Sequence, residues 1–246
     1  MSSTAHLLVA ERLLGFEDPG GAFTVMIQLG SIFAIMWLYR DKILKVLGGL
    51  PHDPAGRHFV LMVAVASLPL FVGGALLSGF VKRTLYGNFA VIGIAFVAGG
   101  IVMWVAERLR PAPTIVDADR LPLGRALVMG GAQALALVPG VSRSGGTIVA
   151  GMLAGVDRPA AAEFSFFLAM PALAAAFGKD LFDIRHQLGP ERTMEIAVGL
   201  AMAFVSSALV IRPFLAVVRR SGFAFFAWYR ILAGVALLAA VAAGWT

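Results

Sequence analysis

The chain has 246 residues, 59% of them hydrophobic and 14% charged, with a formal net charge of +6 and a mean hydropathy of +0.87. Soluble domains carry roughly 25% charged residues, so the deficit excludes an ordinary soluble domain and points to lipid as the solvent. The lack of cysteine excludes disulfides, thiolate metal sites and cysteine nucleophiles. The positive charge does not argue for nucleic acid, because most Lys and Arg sit in short connections between apolar segments.

In chain order, residues 1–6 are polar and lack the basic and apolar regions of a signal peptide. The apolar piece 7–14 is too short to span a bilayer. Six stretches are long enough: about 22–39, 59–81, 87–106, 160–178, 194–216 and 224–244. Lipid-exposed backbone must satisfy its own hydrogen bonds, which makes all six helices. Residues 125–138 and 145–156 are half-length apolar pieces flanking Pro139-Gly140-Val141-Ser142-Arg143-Ser144-Gly145-Gly146-Thr147. Two half-spans around a polar break predict a re-entrant hairpin whose break faces protein or a water-filled cavity. The fold expected is therefore an all-α polytopic membrane protein, one membrane domain over 1–246.

Loop charge sets its orientation. Arg40, Lys42, Lys45, Arg57, Arg108, Arg110, Arg120, Arg125, Arg219 and Arg220 fall in connections on one side, if the hairpin enters and leaves on that side. The other side holds Lys82, Arg83, Lys179, Arg185 and Arg192. The basic-rich side is expected to be cytoplasmic. An internal repeat appears at an offset of 140 residues: Ser2, Val9, Ala10, Leu13, Gly15, Pro19 and Ala22 match Ser142, Val149, Ala150, Leu153, Gly155, Pro159 and Ala162. Together with the loop charges, this predicts two inverted units, about 1–106 and 124–246, each with three spans and a re-entrant element. Such repeats place a binding site near the membrane midplane, at discontinuous helices.

Chemistry concentrates at the polar break. Arginine within a membrane is costly and is a functional hypothesis by default. The Arg143 guanidinium can grip phosphate oxygens as a fork. Gly140 and Gly145 admit close backbone approach, and Ser142, Ser144 and Thr147 add hydroxyls at the start of a helix, where negative charge is favoured. The repeat mate is Ser2-Ser3-Thr4-Ala5-His6. In it His6 could act as general acid or base, and Ser3 as nucleophile or hydrogen-bond donor. Gln133 and Glu163 could bond the loop backbone or contact substrate. Lys179, Asp180 and Asp183 read as a solvated loop, Trp228 and Tyr229 as interfacial anchors, and Met26 and Met36 as packing. No metal-ligand spacing, Walker loop or dinucleotide fingerprint is present.

These residues carry a family resemblance. Ser2-Ser3-Thr4-Ala5-His6-Leu7, Leu14-Gly15-Phe16-Glu17, Ile27-Gln28-Leu29-Gly30, the run from Gln133 through Pro139-Gly140-Val141-Ser142-Arg143-Ser144-Gly145, and Glu163-Phe164-Ser165-Phe166 resemble the bacterial undecaprenyl-diphosphate phosphatases, or bacitracin-resistance proteins. The resemblance implies hydrolysis of a C55 polyprenyl diphosphate to its monophosphate, recycling the cell-wall lipid carrier in the bacterial inner membrane. Bacitracin would compete by sequestering the substrate. The site would open to the periplasm, and a homodimer is allowed. Ser3 and His6 are carried over as catalytic and Arg143 as diphosphate clamp. Ser2, Thr4, Gln133, Gly140, Ser142, Ser144, Gly145, Thr147 and Glu163 follow as substrate-binding positions. The resemblance also implies a divalent cation, Mg²⁺ or Ca²⁺, with no protein ligand for it identified in the sequence. The alternatives are a polyprenyl-phosphate flippase, which inverted repeats also suit, and a catalytically impaired lipid-diphosphate binder. In the family, a segment Glu-x-x-x-Glu-Phe-Leu-Pro precedes the serines, whereas here Met1 stands directly before Ser2. The expectation is a true start upstream, the other reading being a chain without those acids.

Overall fold

The computed structural model describes residues 2–18, 21–185 and 189–245. Met1 and the repeat's Pro19 lie outside the described residues. Among the described residues, ten α-helices follow in chain order: α1 Ser3–Leu14, α2 Ala22–Leu38, α3 Arg40–Gly49, α4 Pro54–Phe80, α5 Phe89–Leu109, α6 Leu123–Ala134, α7 Arg143–Leu153, α8 Arg158–Ile184, α9 Pro190–Ser221 and α10 Ala224–Ala242. Their ends follow from local chemistry. Asp53 and Asn88 cap α4 and α5 by accepting from the Ala55 and Val91 amides. Proline stands in the first turn of α4, α8 and α9, where its missing N–H costs nothing.

Among the described residues five helices, α4, α5, α8, α9 and α10, are long and apolar enough to cross a membrane. The sixth predicted span, 22–39, is α2, which bends by 74° into α3. The chain is thus a multi-pass helical membrane protein. Its largest core lies around Met62, Met129, Ile148, Phe164 and Leu168, contributed by α4, α6, α7 and α8. Helix α10 packs along α5, and α2 along α9 and α8.

The predicted re-entrant hairpin is α6 and α7, joined by the 3₁₀ turn Leu135–Leu137 and the tight turn at 138–141. The basic-rich connections gather at one end. Lys42 pairs with Asp119, His58 Nε2 lies 2.9 Å from the Leu121 carbonyl, and Glu107 binds both Arg158 and the Phe223 amide. The other end is tied by Lys82 to Asp180 (2.5 Å) and Arg192 to Asp18 (3.0 Å). Lys179, Asp180 and Asp183 lie in the last turns of α8 and not in a loop. Lys179 and Asp183 are exposed, whereas Asp180 is buried and paired with Lys82.

Candidate functional site

Two helix starts meet inside the membrane domain. Ser142 caps α7, its hydroxyl accepting the Gly145 amide at 3.0 Å, and Arg143 is the first helical residue. Across from it, α1 begins at Ser3, with Ser2 extended before it. Between them stands Gln28 of α2. Its Oε1 accepts from Arg143 Nη2 (2.9 Å) and from Ser3 Oγ (3.1 Å). Its Nε2 donates to the Thr24 carbonyl (2.8 Å) and Thr4 Oγ1 (3.3 Å). Gln28 thus links the two starts, although 115 residues separate it from Arg143.

These groups line a polar cavity of about 200 Å³. Ser2, Ser3, Thr4, Gln28, Tyr86, Gly140, Arg143 and Ser144 face it, and among the described residues Arg143 is the one charged residue in its lining. The first amides of a helix have no intrahelical acceptor, so the α7 start adds partial positive charge to the Arg143 cation. A cavity whose described lining holds one cation, several hydroxyls and no carboxylate is suited to an anion.

Tyr86 follows a π-helical turn, Val81–Leu85, that extends α4 beyond its predicted end. The wider turn re-aims the chain and brings Tyr86 into the cavity. Burial, foremost, pushes its phenol up to about 12, with nearby Asp180 adding to the rise. Tyr86 therefore remains a neutral donor at physiological pH.

The polar cavity continues into an apolar groove of about 370 Å³ between α4 and α8. Thr4, Gln28, Tyr86, Leu137 and Arg143 border both spaces. Leu70, Phe71, Gly74, Ala172 and Ala176 form the apolar part, and the Lys82–Asp180 pair lines it where the two helices end.

Of the predicted site residues, Ser2, Ser3, Thr4, Gly140, Arg143 and Ser144 come together around the cavity. The others lie elsewhere. His6 turns to the opposite face of α1. Its Nδ1 is 2.6 Å from the Ser2 carbonyl, its Nε2 is 2.7 Å from the Tyr229 hydroxyl, and its ring stacks on Tyr229. Tyr229 is therefore a partner of His6 and not only an interfacial anchor. Thr147 is buried and donates to the Arg143 carbonyl at 2.9 Å, bracing the first turn of α7. Ser142 and Gly145 are spent on the cap. Gln133 is buried on α6. Glu163 lies at the basic-rich end, 2.5 Å from Lys42, and so does not reach the cavity. Beside Asp119 and Glu163 the Lys42 ammonium is held above its ordinary value: burial opposes this, and the hydrogen bonds to the two carboxylates outweigh it.

Gln28 carried no assigned role in the sequence, although a glutamine in an apolar span is itself a signal. Among the described residues, no three His, Asp or Glu side chains are grouped to hold a metal ion. The donor set at the cavity is hydroxyl, amide and guanidinium, which does not fit a protein-held divalent cation.

With this geometry in view, the comparisons are specific. The model of the family "Bacitracin resistance protein BacA" matches residues 1–236. An undecaprenyl-diphosphatase of Cereibacter sphaeroides (strain ATCC 17029 / ATH 2.4.9) is 47% identical over 245 residues, 100% of this chain and 91% of that protein. One from Rhodopseudomonas palustris (strain BisB18) is 45% identical over 246 residues, covering 99% and 91%. One from Paracoccus denitrificans (strain Pd 1222) is 42% identical over 245 residues, covering 100% and 92%. The chain belongs to the BacA family.

Proposed function

We propose, with membership of that family as the premise, that this chain hydrolyses undecaprenyl diphosphate to undecaprenyl phosphate and phosphate. The reaction recycles the lipid carrier of cell-wall synthesis in the bacterial inner membrane and confers resistance to bacitracin, which sequesters the same substrate. The observation that carries this reading is the junction at Arg143. An anion cavity and an apolar groove share that residue, together with Thr4, Gln28 and Tyr86. A ligand with a charged head and a long hydrocarbon tail fits both spaces at once.

In this reading the tail lies in the groove between α4 and α8 and the diphosphate in the polar cavity. Arg143 leaves Gln28 and takes up phosphate oxygens, a stronger partner for a guanidinium than a neutral amide. The α7 start and Arg143 stabilise charge on the transferring phosphoryl group. Ser3, exposed and lightly held by Gln28, attacks phosphorus or orients the attacking water. Either route breaks the bridging P–O bond and leaves the monophosphate on the lipid; where Ser3 attacks, the phosphoryl group passes to its oxygen and water then cleaves that ester to release phosphate. His6, bonded to the Ser2 carbonyl, acts on the cavity by setting the start of α1. A divalent cation would arrive with the diphosphate oxygens. The cavity would open to the periplasmic side, the end opposite the basic-rich connections.

The test is phosphate release from undecaprenyl diphosphate by the purified protein in detergent micelles. Turnover that is lost in Arg143→Ala supports the reading. A wild-type protein that binds the lipid without releasing phosphate would contradict it.

A further inference from the structure

Arg230 sits in the second turn of α10, inside a predicted span, and is only 1% exposed. Its Nη2 donates to two carbonyls, Ala95 on α5 (2.9 Å) and Gly140 in the turn before Arg143 (3.0 Å). The guanidinium lies 4.9 Å from the centre of the Phe96 ring. Gly99 makes the room for it, since a methyl group there would collide with the guanidinium. Its Nε and Nη1 have no hydrogen-bond partner among the described residues, and no carboxylate among them forms an ion pair with it.

A buried arginine without a counter-charge is expensive, and a span tolerates one only for a purpose. The turn it holds supplies that purpose. Val138, Pro139, Gly140 and Val141 form a tight turn closed by the Val141 amide on the Val138 carbonyl (3.1 Å). Gly140 has φ +92, and a Cβ there would collide with the Ile92 carbonyl, so a side chain does not fit. The Gly140 carbonyl is left over by the turn, and Arg230 takes it. One nitrogen, Nη2, therefore joins α5, α10 and the turn that launches Arg143, three residues downstream of Gly140. Its charge also adds to the field at a cavity meant for an anion.

We propose that Arg230 is a positioning residue: it fixes the Pro139-Gly140 turn, and through it Arg143, in the geometry that grips a diphosphate. The inference rests on the reading of the cavity as a diphosphate site. The experiment compares Arg230→Met and Arg230→Lys in the full chain, in detergent, per folded molecule. Inorganic pyrophosphate affinity and phosphate release from undecaprenyl diphosphate are both measured.

In Arg230→Met, pyrophosphate binding should weaken about tenfold and turnover should fall about 10- to 100-fold, the scale of losing hydrogen bonds to a charged donor. Arg230→Lys keeps the charge on a shorter side chain whose ammonium ends short of the Nη2 position, and should recover part of both. Values for Arg230→Met within about twofold of wild type, the smallest effect one lost hydrogen bond gives, would overturn the proposal. So would a lysine variant no better than the methionine one. If Arg230→Met does not fold, Arg230→Lys decides alone: an intermediate loss supports positioning, and wild-type values refute it. A wild-type chain that binds pyrophosphate but releases no phosphate from the lipid would sink the enzymatic reading, while the pyrophosphate arm still decides the role of Arg230.

Discussion

The starts of α1 and α7 converge on Gln28, yet they are built differently. Ser142 is buried, its side chain closes the first turn of α7, and Thr147 braces that turn from within. The α1 start has no side-chain cap, and Ser3 is exposed. It is held from outside by Gln28 through Ser3 and Thr4, and from within α1 by His6 on the Ser2 carbonyl. One start is a rigid charged cradle and the other an adjustable row of hydroxyls. Such a division suits phosphoryl transfer, where fixed charge stabilises the group in flight and a movable oxygen delivers or orients the nucleophile.

Removing the fixed charge should do most damage. Arg143→Ala is expected to slow phosphate release by about 10²–10³-fold, the scale seen when a preorganised transition-state donor is lost. Arg143→Lys should recover only part, because an ammonium cannot fork across two phosphate oxygens. An alanine variant with normal turnover would mean that the cradle is only a cap.

The link between the arms comes next. Gln28→Leu leaves Arg143 and Ser3 without their shared acceptor, and turnover should fall about tenfold, equivalent to roughly 1.4 kcal/mol. Equal kinetics for this variant and wild type would show that the arms are set independently.

His6 sharpens the comparison from the other side. If it works through Ser2, His6→Asn should lower turnover by about tenfold or less, consistent with a lost hydrogen bond. A loss of 10²–10⁴-fold, the range for a general acid or base, would return His6 to proton transfer and require it to leave Tyr229 during the reaction.

The smallest effect belongs to Tyr86. Tyr86→Phe should cost about threefold, one neutral hydrogen bond. Because burial raises the phenol to about 12, it stays protonated until pH rises through that value. The alkaline limb of the pH–rate profile should therefore be the same in both proteins below pH 10 or so. A limb that disappears in the variant would identify Tyr86 as the titrating group.

The cradle was legible in the sequence for a physical reason. Ser142-Arg143-Ser144 breaks an apolar run, and two half-length pieces around a polar break can form little but a hairpin. The six spans were legible on the same ground. What stayed hidden depends on pairs distant in sequence or on the end of a helix. Lys82 and Asp180 are 98 residues apart, and each looks like loop charge until α4 and α8 are set side by side. Tyr86 reaches the cavity through a π-helical turn that no periodicity announces. His6 sits on α1 within a turn of Ser3, but only the tertiary pairing with Tyr229 shows which way it faces. Arg230 was readable and was missed: it stands in an apolar span as plainly as Arg143 stands in its loop, and the same cost argument applies to both.

The central claim is that the two helix starts act on one diphosphate as a unit. The most direct measurement is a double-mutant cycle on phosphate release with Ser3→Ala, Arg143→Lys and the double variant. Groups that serve one transition state lose far less together than the product of their single losses. The double variant is predicted to be no more than about threefold slower than the worse single variant. Losses that multiply in full would contradict the claim and leave two neighbouring helix ends that share a cavity but not a reaction.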